Sequence, residues 1–469
     1  MWLVIMHLKI FRKESLSNYL GADQHFVKSL SAFDLMTMGV GAVIGTGIFI
    51  LPGTVAANAA GPGVIVSFLL AAIVCALAAM CYAEFSSALP VAGSAYSYGN
   101  IIFGEFIGWI LGWALVLEYM LAVATVSTGW SAYFNALLAS FGIHIPKAVS
   151  GPFDPAHGTY FNLVAVLVVL VVSLILSRGM QSSKRVNNAM VILKIVIILL
   201  FIGVGLFFIK PANYHPFMPY KIGGILKGAT TVFFAFLGFD AVSSSAAEVK
   251  NPKKNMPIGI LGTLLIAAIL YMGVSAVLVG MVKYTKLDVA NPVSYALNLV
   301  NQGWLADTLA IGALIGMFTM MITTIFASSR LVYSIGRDGL LPKPLSKLNA
   351  QKGETPENAL LFVTIIIAIM GGLVSLDELT SLVNIGTLLA FTFVSFGIIP
   401  LRHRQDIDNQ GGFQVPLYPL LPIISGLACI WMICQLGKTT FIGAGIWFVI
   451  GIIIYFSYGY HHSTIASEK

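Results

Sequence analysis

Long apolar stretches, separated by short polar loops, run through almost the whole chain. A helix that crosses a bilayer needs roughly 20 mostly apolar residues, and this rule predicts twelve spanning helices. Their predicted ranges are 33–58, 64–87, 98–130, 161–176, 187–208, 225–246, 258–281, 305–334, 359–374, 380–400, 417–434 and 441–458. The pattern therefore predicts an all-α polytopic membrane protein.

Two of these spans carry glycines where a membrane helix would otherwise continue. The first contains residues 39–49 (GVGAVIGTGIF), and the sixth contains residues 230–240 (TTVFFAFLGFD). Non-helical backbone survives inside hydrocarbon only where it is buried in protein or lines a polar cavity. Because five helices separate their starts, the two spans should run in opposite directions. We therefore predict two broken helices that meet at the membrane midplane and form a binding site.

Composition and charge agree with a membrane location. The chain is 58% hydrophobic and only 10% charged, with a mean hydropathy of +0.90, which excludes an ordinary soluble protein. Eighteen of the 26 Lys and Arg residues fall on one predicted face and seven on the other. The positive-inside rule then predicts that both termini are cytoplasmic. We expect the protein to lie in the plasma membrane. The net charge of +7 follows from this topology, so no nucleic-acid partner is predicted.

The four cysteines lie in predicted spans and show no paired spacing. We therefore expect no disulfide-linked subunit and no metal site, and no motif predicts a cofactor. Membrane lipids are expected partners, and a small accessory membrane protein is left open. A membrane enzyme is disfavoured because HExxH, GxSxG and Walker motifs are absent from the sequence. A channel is disfavoured because the few buried charges favour one occluded site over a continuous polar stripe.

Three ionisable residues lie at membrane depth, where such groups are costly and usually functional. Glu118 lies in the third span, Lys194 in the fifth and Asp240 at the break in the sixth. Glu118 either receives a cationic substrate side chain or serves structure alone. Asp240 either contacts substrate or caps the unwound segment. Lys194 either carries a proton or extends its ammonium toward the interface.

Five segments resemble the amino acid–polyamine–organocation transporters, and among them the cationic amino acid transporter family. They are residues 41–49, 90–98, 112–119, 234–240 and 330–342. The resemblance implies a leucine-transporter fold of two inverted five-helix repeats, with helices 1 and 6 broken and two further helices. The implied units are a cytoplasmic tail at 1–32, repeats at 33–210 and 222–401, helices 11 and 12 within 415–460, and a cytoplasmic tail at 461–469. One departure is the single glycine, Gly93, in a loop where the family often has two.

The resemblance also implies a site for an α-amino acid. Backbone amides would bind its carboxylate, at Gly45, Thr46 and Gly47. Carbonyls would accept from its ammonium, at Val43, Ile44, Phe234, Ala235 and Leu237. Phe234 would also act as an aromatic gate over the substrate, although a packing role for this ring stays open.

The position of Lys194 is similar to a fifth-span lysine that replaces sodium in family members without sodium coupling. The resemblance implies that protonated Lys194 contacts carbonyls near Gly41 and hydroxyls of the eighth span, Thr323 or Thr324. Loss of the proton would then release the first span. We therefore expect a proton-coupled, sodium-independent importer of L-amino acids such as alanine, arginine and lysine, working by alternating access. Amino acid exchange is the alternative.

Overall fold

The computed structural model describes residues 12–13, 28–91, 93–178, 184–348, 356–407 and 411–464. Most of the predicted N-terminal tail, 1–32, lies outside the described residues. So do residue 92 of the 90–98 motif and residues 465–469 of the predicted C-terminal tail. The described part is almost entirely helical.

The helices up to the predicted end of the first repeat are α1 (Ala32–Val43), α2 (Thr46–Phe49), α3 (Leu51–Val55), α4 (Val64–Ala88), α5 (Ala95–Ile102), α6 (Glu105–Ser140), α7 (Leu163–Ser177) and α8 (Lys184–Gly205). The next group is α9 (Lys221–Val232), α10 (Phe239–Ser243), α11 (Pro252–Met281), α12 (Pro292–Leu299), α13 (Gly303–Arg337), α14 (Glu357–Leu373) and α15 (Leu376–His403). The chain ends with α16 (Leu420–Cys434), α17 (Lys438–Ile454) and α18 (Tyr460–His462).

Among the described residues, eight helices are long and apolar enough to cross a membrane. Four shorter apolar helices accompany them: Ala32–Val43, Leu163–Ser177, Glu357–Leu373 and Leu420–Cys434. Each predicted span overlaps one of these helices. The predicted start of the third span was wrong, because residue 98 lies in the separate helix α5 and the long helix α6 begins at Glu105. Gly104 separates them with a φ of 106°, a conformation that glycine adopts without strain.

The first broken helix begins with a reciprocal cap. The Ser31 hydroxyl accepts from the Asp34 amide at 3.3 Å, and the Asp34 carboxylate accepts from the Ser31 amide at 2.9 Å. α1 ends at Ile44, whose ψ of 92° leaves the helical region, and Gly45 follows with φ −127° and ψ −136°. The helix resumes as α2 at Thr46. The prediction that the first span is broken is confirmed at these residues.

The sixth span is broken as well. α9 is followed by a tight 3₁₀ turn, Phe233–Phe236, and then by extended backbone at Leu237. Gly238 has a φ of 112°, which a side chain would disfavour, and α10 starts after it. The chain therefore changes direction within the aromatic and glycine motif.

The two breaks pack directly against each other. A Cβ built on Gly47 would lie 2.6 Å from the Cβ of Ala235, and one built on Gly238 would lie 3.1 Å from the backbone carbon of Ala42. Contacts this short leave no room for a side chain. Two of the glycines therefore allow the unwound segments to meet at backbone distance, as predicted.

The last spanning helix, α17, attaches to α6 through tryptophans. The indoles of Trp113 and Trp447 stack with ring centroids 4.4 Å apart. Trp113 Nε1 donates to the carbonyl of Trp447 at 2.8 Å, and Trp447 Nε1 donates to the carbonyl of Trp113 at 3.0 Å. Both indole N–H groups are thus satisfied, and α17 is held beside α6.

Candidate functional site

Tyr271 of α11 joins the two broken helices. Its hydroxyl lies 2.9 Å from the carbonyl oxygen of Val43 and 2.7 Å from that of Ala235, and the residue is fully buried. A phenolic hydroxyl has one hydrogen to donate, so it can serve only one of these two acceptors fully at a time. The sequence analysis missed Tyr271, although a tyrosine inside an apolar span was a usable signal.

The remaining predicted carbonyl acceptors are partly occupied too. The Ile44 carbonyl accepts from Lys194 at 3.1 Å, and the Phe234 carbonyl accepts from the Leu237 amide at 3.2 Å. The side chains of Phe234 and Leu237 are both 5% exposed. The structure therefore gathers all five predicted acceptors at the breaks, while protein donors already contact four of them.

The predicted carboxylate donors also lie at the first break. The Gly45 amide donates to the Val43 carbonyl at 3.0 Å, so it is already used. Thr46 and Gly47 are the first residues of α2, and amides at the start of a helix have no partner within that helix. The Thr46 hydroxyl is buried and has no hydrogen-bond partner in the described structure. This corner of the break therefore offers donors to an anion.

Two acidic side chains are buried in this part of the molecule. Glu118 of α6 is 2% exposed and Asp240 is fully buried, and the two are near enough to interact electrostatically. Asp240 Oδ1 accepts from the Gly238 amide at 3.2 Å, which supports the capping interpretation. Oxygen Oε2 of Glu118 and Oδ2 of Asp240 have no hydrogen-bond partner among the described residues. No Lys or Arg in the described part forms an ion pair with either acid.

Lys194 of α8 has a different environment. It is 2% exposed, and Nζ donates to the carbonyl of Gly41 at 3.0 Å and to that of Ile44 at 3.1 Å. Both carbonyls belong to the last turn of α1 and its end, where the helix leaves them without helical partners. The structure therefore brings Lys194 to Gly41, and its ammonium does not extend to the interface.

The predicted contact with the eighth span is different in the structure. Within the described residues, Lys194 makes no hydrogen bond to Thr323 or Thr324. The Thr323 hydroxyl donates along its own helix, to the carbonyls of Thr319 and Met320. The side-chain carbons of Lys194 instead pack on Gly316, where a built Cβ would lie 2.9 Å from Cε. Gly316 precedes Thr323 by about two helical turns, which explains the difference.

Met320 of α13 borders the first break. Its sulfur would lie 2.5 Å from a Cβ built on Gly45, and the side chain is buried. Thioethers are apolar and adaptable. The surface that Met320 presents to the first break is therefore apolar.

The arrangement combines donors, acceptors and a buried charge within two interrupted helices. Comparisons with known proteins identify the family to which this chain belongs. Residues 30–460 match the model of the family described as amino acid permease. The chain belongs to this family.

Individual relatives agree with the family match. The chain is 46% identical over 458 residues to a methylthioribose transporter of Bacillus subtilis, with 97% of this chain and 99% of that protein covered. It is 45% identical to the branched-chain amino acid permease BcaP of the same organism, again over 97% and 99%. It is 36% identical to cationic amino acid transporter 4 of Arabidopsis thaliana, over 80% of this chain and 63% of that protein.

These findings confirm several predictions. The permease is a membrane-embedded amino acid transporter, and its relatives are transporters rather than enzymes. Its all-α architecture is of the leucine-transporter type, with the first and sixth spans broken. The family match leaves the preferred substrate and the coupling mode to be argued from the site.

Proposed function

We propose that the permease imports L-amino acids across the plasma membrane by alternating access, coupled to protons and independent of sodium. Both termini are cytoplasmic in this proposal, and residues 33–210 and 222–401 form the inverted repeats. Residues 415–460 supply the two additional helices. The excess of Lys and Arg on one face supports this orientation.

The observation that carries proton coupling is the pair of hydrogen bonds from Lys194 to Gly41 and Ile44. The protonated ammonium holds the end of α1 against α8. A neutral amine would bind these carbonyls more weakly, since hydrogen bonds from charged donors are about twice as strong as neutral ones. Loss of the proton therefore favours a state in which α1 has moved away, and Lys194 carries the coupled proton.

The substrate in this proposal is zwitterionic. Its carboxylate binds the amides of Thr46 and Gly47 and the free Thr46 hydroxyl. Its ammonium competes with Tyr271 for the carbonyls of Val43 and Ala235, which lie on opposite broken helices. Binding therefore supplies the donor that Tyr271 cannot give to both carbonyls at once, and this favours the occluded state.

Side-chain preference in this proposal depends on Met320 and Glu118. Met320 favours small neutral or aliphatic side chains, in keeping with the relatives that transport branched-chain amino acids. Glu118 has a carboxylate oxygen without a partner, which favours the cationic side chains of arginine and lysine. We propose that small neutral and cationic amino acids are both accepted. Methylthioribose has no ammonium or carboxylate, so it would leave the polar groups at the breaks unmatched.

The test is uptake into proteoliposomes of radiolabelled alanine, leucine and arginine, with and without an inward proton gradient. A gradient of about one pH unit supports about tenfold accumulation if one proton moves with each amino acid. The reason is that moving one proton down one pH unit releases about 1.4 kcal/mol of free energy, which corresponds to a tenfold concentration ratio. Equal accumulation in sodium and choline buffers would support sodium independence. Transport that requires preloaded amino acid and ignores the gradient would establish exchange instead. Competition by methylthioribose but by none of the amino acids would overturn the substrate class.

A further inference from the structure

A cavity lies outside the site described above, between α9, the start of α15 and the turn that joins α16 to α17. Its volume is about 480 Å³, which is within the usual range for pockets that bind small molecules. We call it the outer cavity because it lies on the predicted outer face. Its polar lining includes Lys227, Thr230, Asp377, Glu378, Asn384 and Thr440.

The outer cavity carries charges of both signs. The ammonium of Lys227 in α9 attracts the carboxylate of Asp377 in α15. The carboxylates of Glu378 and Asp288 repel the Asp377 carboxylate. Within the described residues, Lys227 forms no ion pair with Asp377 or Glu378. The cation and the carboxylates are therefore separate, and a ligand that carries both charges could bind between them.

The inner end of the outer cavity supplies an independent indication. Asn384 of α15 is 1% exposed, and Nδ2 donates to the carbonyl of Thr230 at 2.8 Å. Its other polar atom, Oδ1, has no hydrogen-bond partner in the described structure. A buried acceptor without a partner costs about 1–3 kcal/mol. A donor from a ligand in this cavity would satisfy it.

We infer that the outer cavity is a second binding site for a zwitterionic α-amino acid, occupied before the substrate reaches the broken helices. The carboxylate binds Lys227, and the ammonium binds Asp377 or Glu378 with Asn384 nearby. Thr230 lies about one turn before the 3₁₀ turn Phe233–Phe236, so the hydrogen bond from Asn384 links the cavity to the sixth-span break. This inference rests on the proposed function, since it takes the same class of ligand.

The first test is protection from chemical labelling. Thr439 lines the cavity and is exposed, so Thr439→Cys in a Cys434→Ser background offers a thiol to a membrane-impermeant maleimide. The other three cysteines are buried. At L-alanine concentrations about tenfold above its Kd, occupancy should slow labelling about tenfold. Adding Lys227→Gln should abolish this protection. Adding Lys210→Gln, at an exposed lysine in the loop that follows α8, should preserve it.

Two results would overturn the inference. L-Alanine could fail to slow labelling although the same proteoliposomes take up alanine. Protection by L-alanine could also persist in the variant that combines Lys227→Gln with Asp377→Asn. The protection would then arise from a conformational change caused by alanine bound at the broken helices, and not from alanine bound in the outer cavity. Absence of uptake in every preparation would instead reject the proposed function, so the two failures are distinguishable.

The second test uses the sidedness of transport. A site on the outer face acts on substrate arriving from outside, so Lys227→Gln should raise the KM for influx about threefold, as expected for loss of a partly exposed charge contact. The KM for efflux from preloaded vesicles should stay unchanged. Asp307→Asn, at an exposed position of α13, is the matched control for Asp377→Asn. Equal changes in influx and efflux KM would contradict a separate outer site.

Discussion

Lys194 and the two acids, Glu118 and Asp240, are all buried, but they differ in their hydrogen-bond partners. Lys194 is a single cation with two carbonyl acceptors, both on the first broken helix. Glu118 and Asp240 are two neighbouring acids, and each retains an oxygen without a hydrogen-bond partner in the described structure. An isolated buried charge is costly unless its surroundings compensate it. The lysine is therefore matched to the protein's own backbone, whereas the acids are available to something that binds.

In the sequence, the lysine and the two acids share one property, which is that they are ionisable residues at membrane depth. Their different hydrogen-bonding partners indicate different roles. In the proposed function, Lys194 holds the end of α1 and couples transport to protons, whereas Glu118 takes part in substrate recognition. Substitutions at four positions test this assignment of roles.

The largest effect is expected for Lys194→Ala. Removing the ammonium removes the proton carrier and leaves the Gly41 and Ile44 carbonyls without their donor. Accumulation driven by the proton gradient should be lost, while exchange against preloaded amino acid is retained. Uptake and counterflow in proteoliposomes measure the two activities, with Lys210→Ala as the control for an exposed lysine. Full pH dependence in Lys194→Ala would disprove the coupling role.

Glu118→Gln tests recognition by the acidic pair. The substitution keeps the shape but removes the charge, so arginine uptake should fall about tenfold relative to alanine uptake, as expected for loss of a charged hydrogen bond. The ratio of the two uptake rates is the measurement, and Asp307→Asn controls for a change in net charge. A proportional loss of both substrates would assign Glu118 a structural role.

Tyr271→Phe tests the bridge between the two breaks. It removes the hydroxyl shared by the Val43 and Ala235 carbonyls. The Val43 carbonyl keeps the Gly45 amide as a donor, so the loss falls on the Ala235 carbonyl, and leaving a buried acceptor unsatisfied costs about 1–3 kcal/mol. The detergent-solubilised variant should unfold at a lower temperature, and saturating alanine should restore more stability than in the unmodified protein, because its ammonium supplies the missing donor. If alanine stabilised both proteins equally, the ammonium would not bind these carbonyls.

The smallest effect is expected at Asp240. Asp240→Asn retains an oxygen that accepts from the Gly238 amide, so its unfolding temperature should stay near that of the unmodified protein. Asp240→Ala removes the acceptor and should cost about 1 kcal/mol. Thermal unfolding of both variants provides the comparison. Equal destabilisation by Asn and Ala would show that the charge, rather than the cap, matters at this position.

The breaks illustrate how much of the site was predictable. Glycines inside apolar spans identified both interruptions, and the structure places them at Gly45 and Gly238. The charge of Lys194 in an aliphatic helix identified it as a candidate, and the structure places its ammonium 3.0 Å from the Gly41 carbonyl. Its neighbour on α13 was misplaced by about two turns, because side-chain reach between packed helices depends on their relative offset along the membrane.

Local hydrophobicity and backbone preference were enough to predict an all-α membrane protein, the two interrupted spans and the ionisable residues at membrane depth. They were not enough to predict that Tyr271 bridges both breaks or that Asn384 lines a separate cavity. Hydrogen bonds and cavities between distant helices depend on how the packed helices are rotated and offset, and apolar periodicity does not encode that.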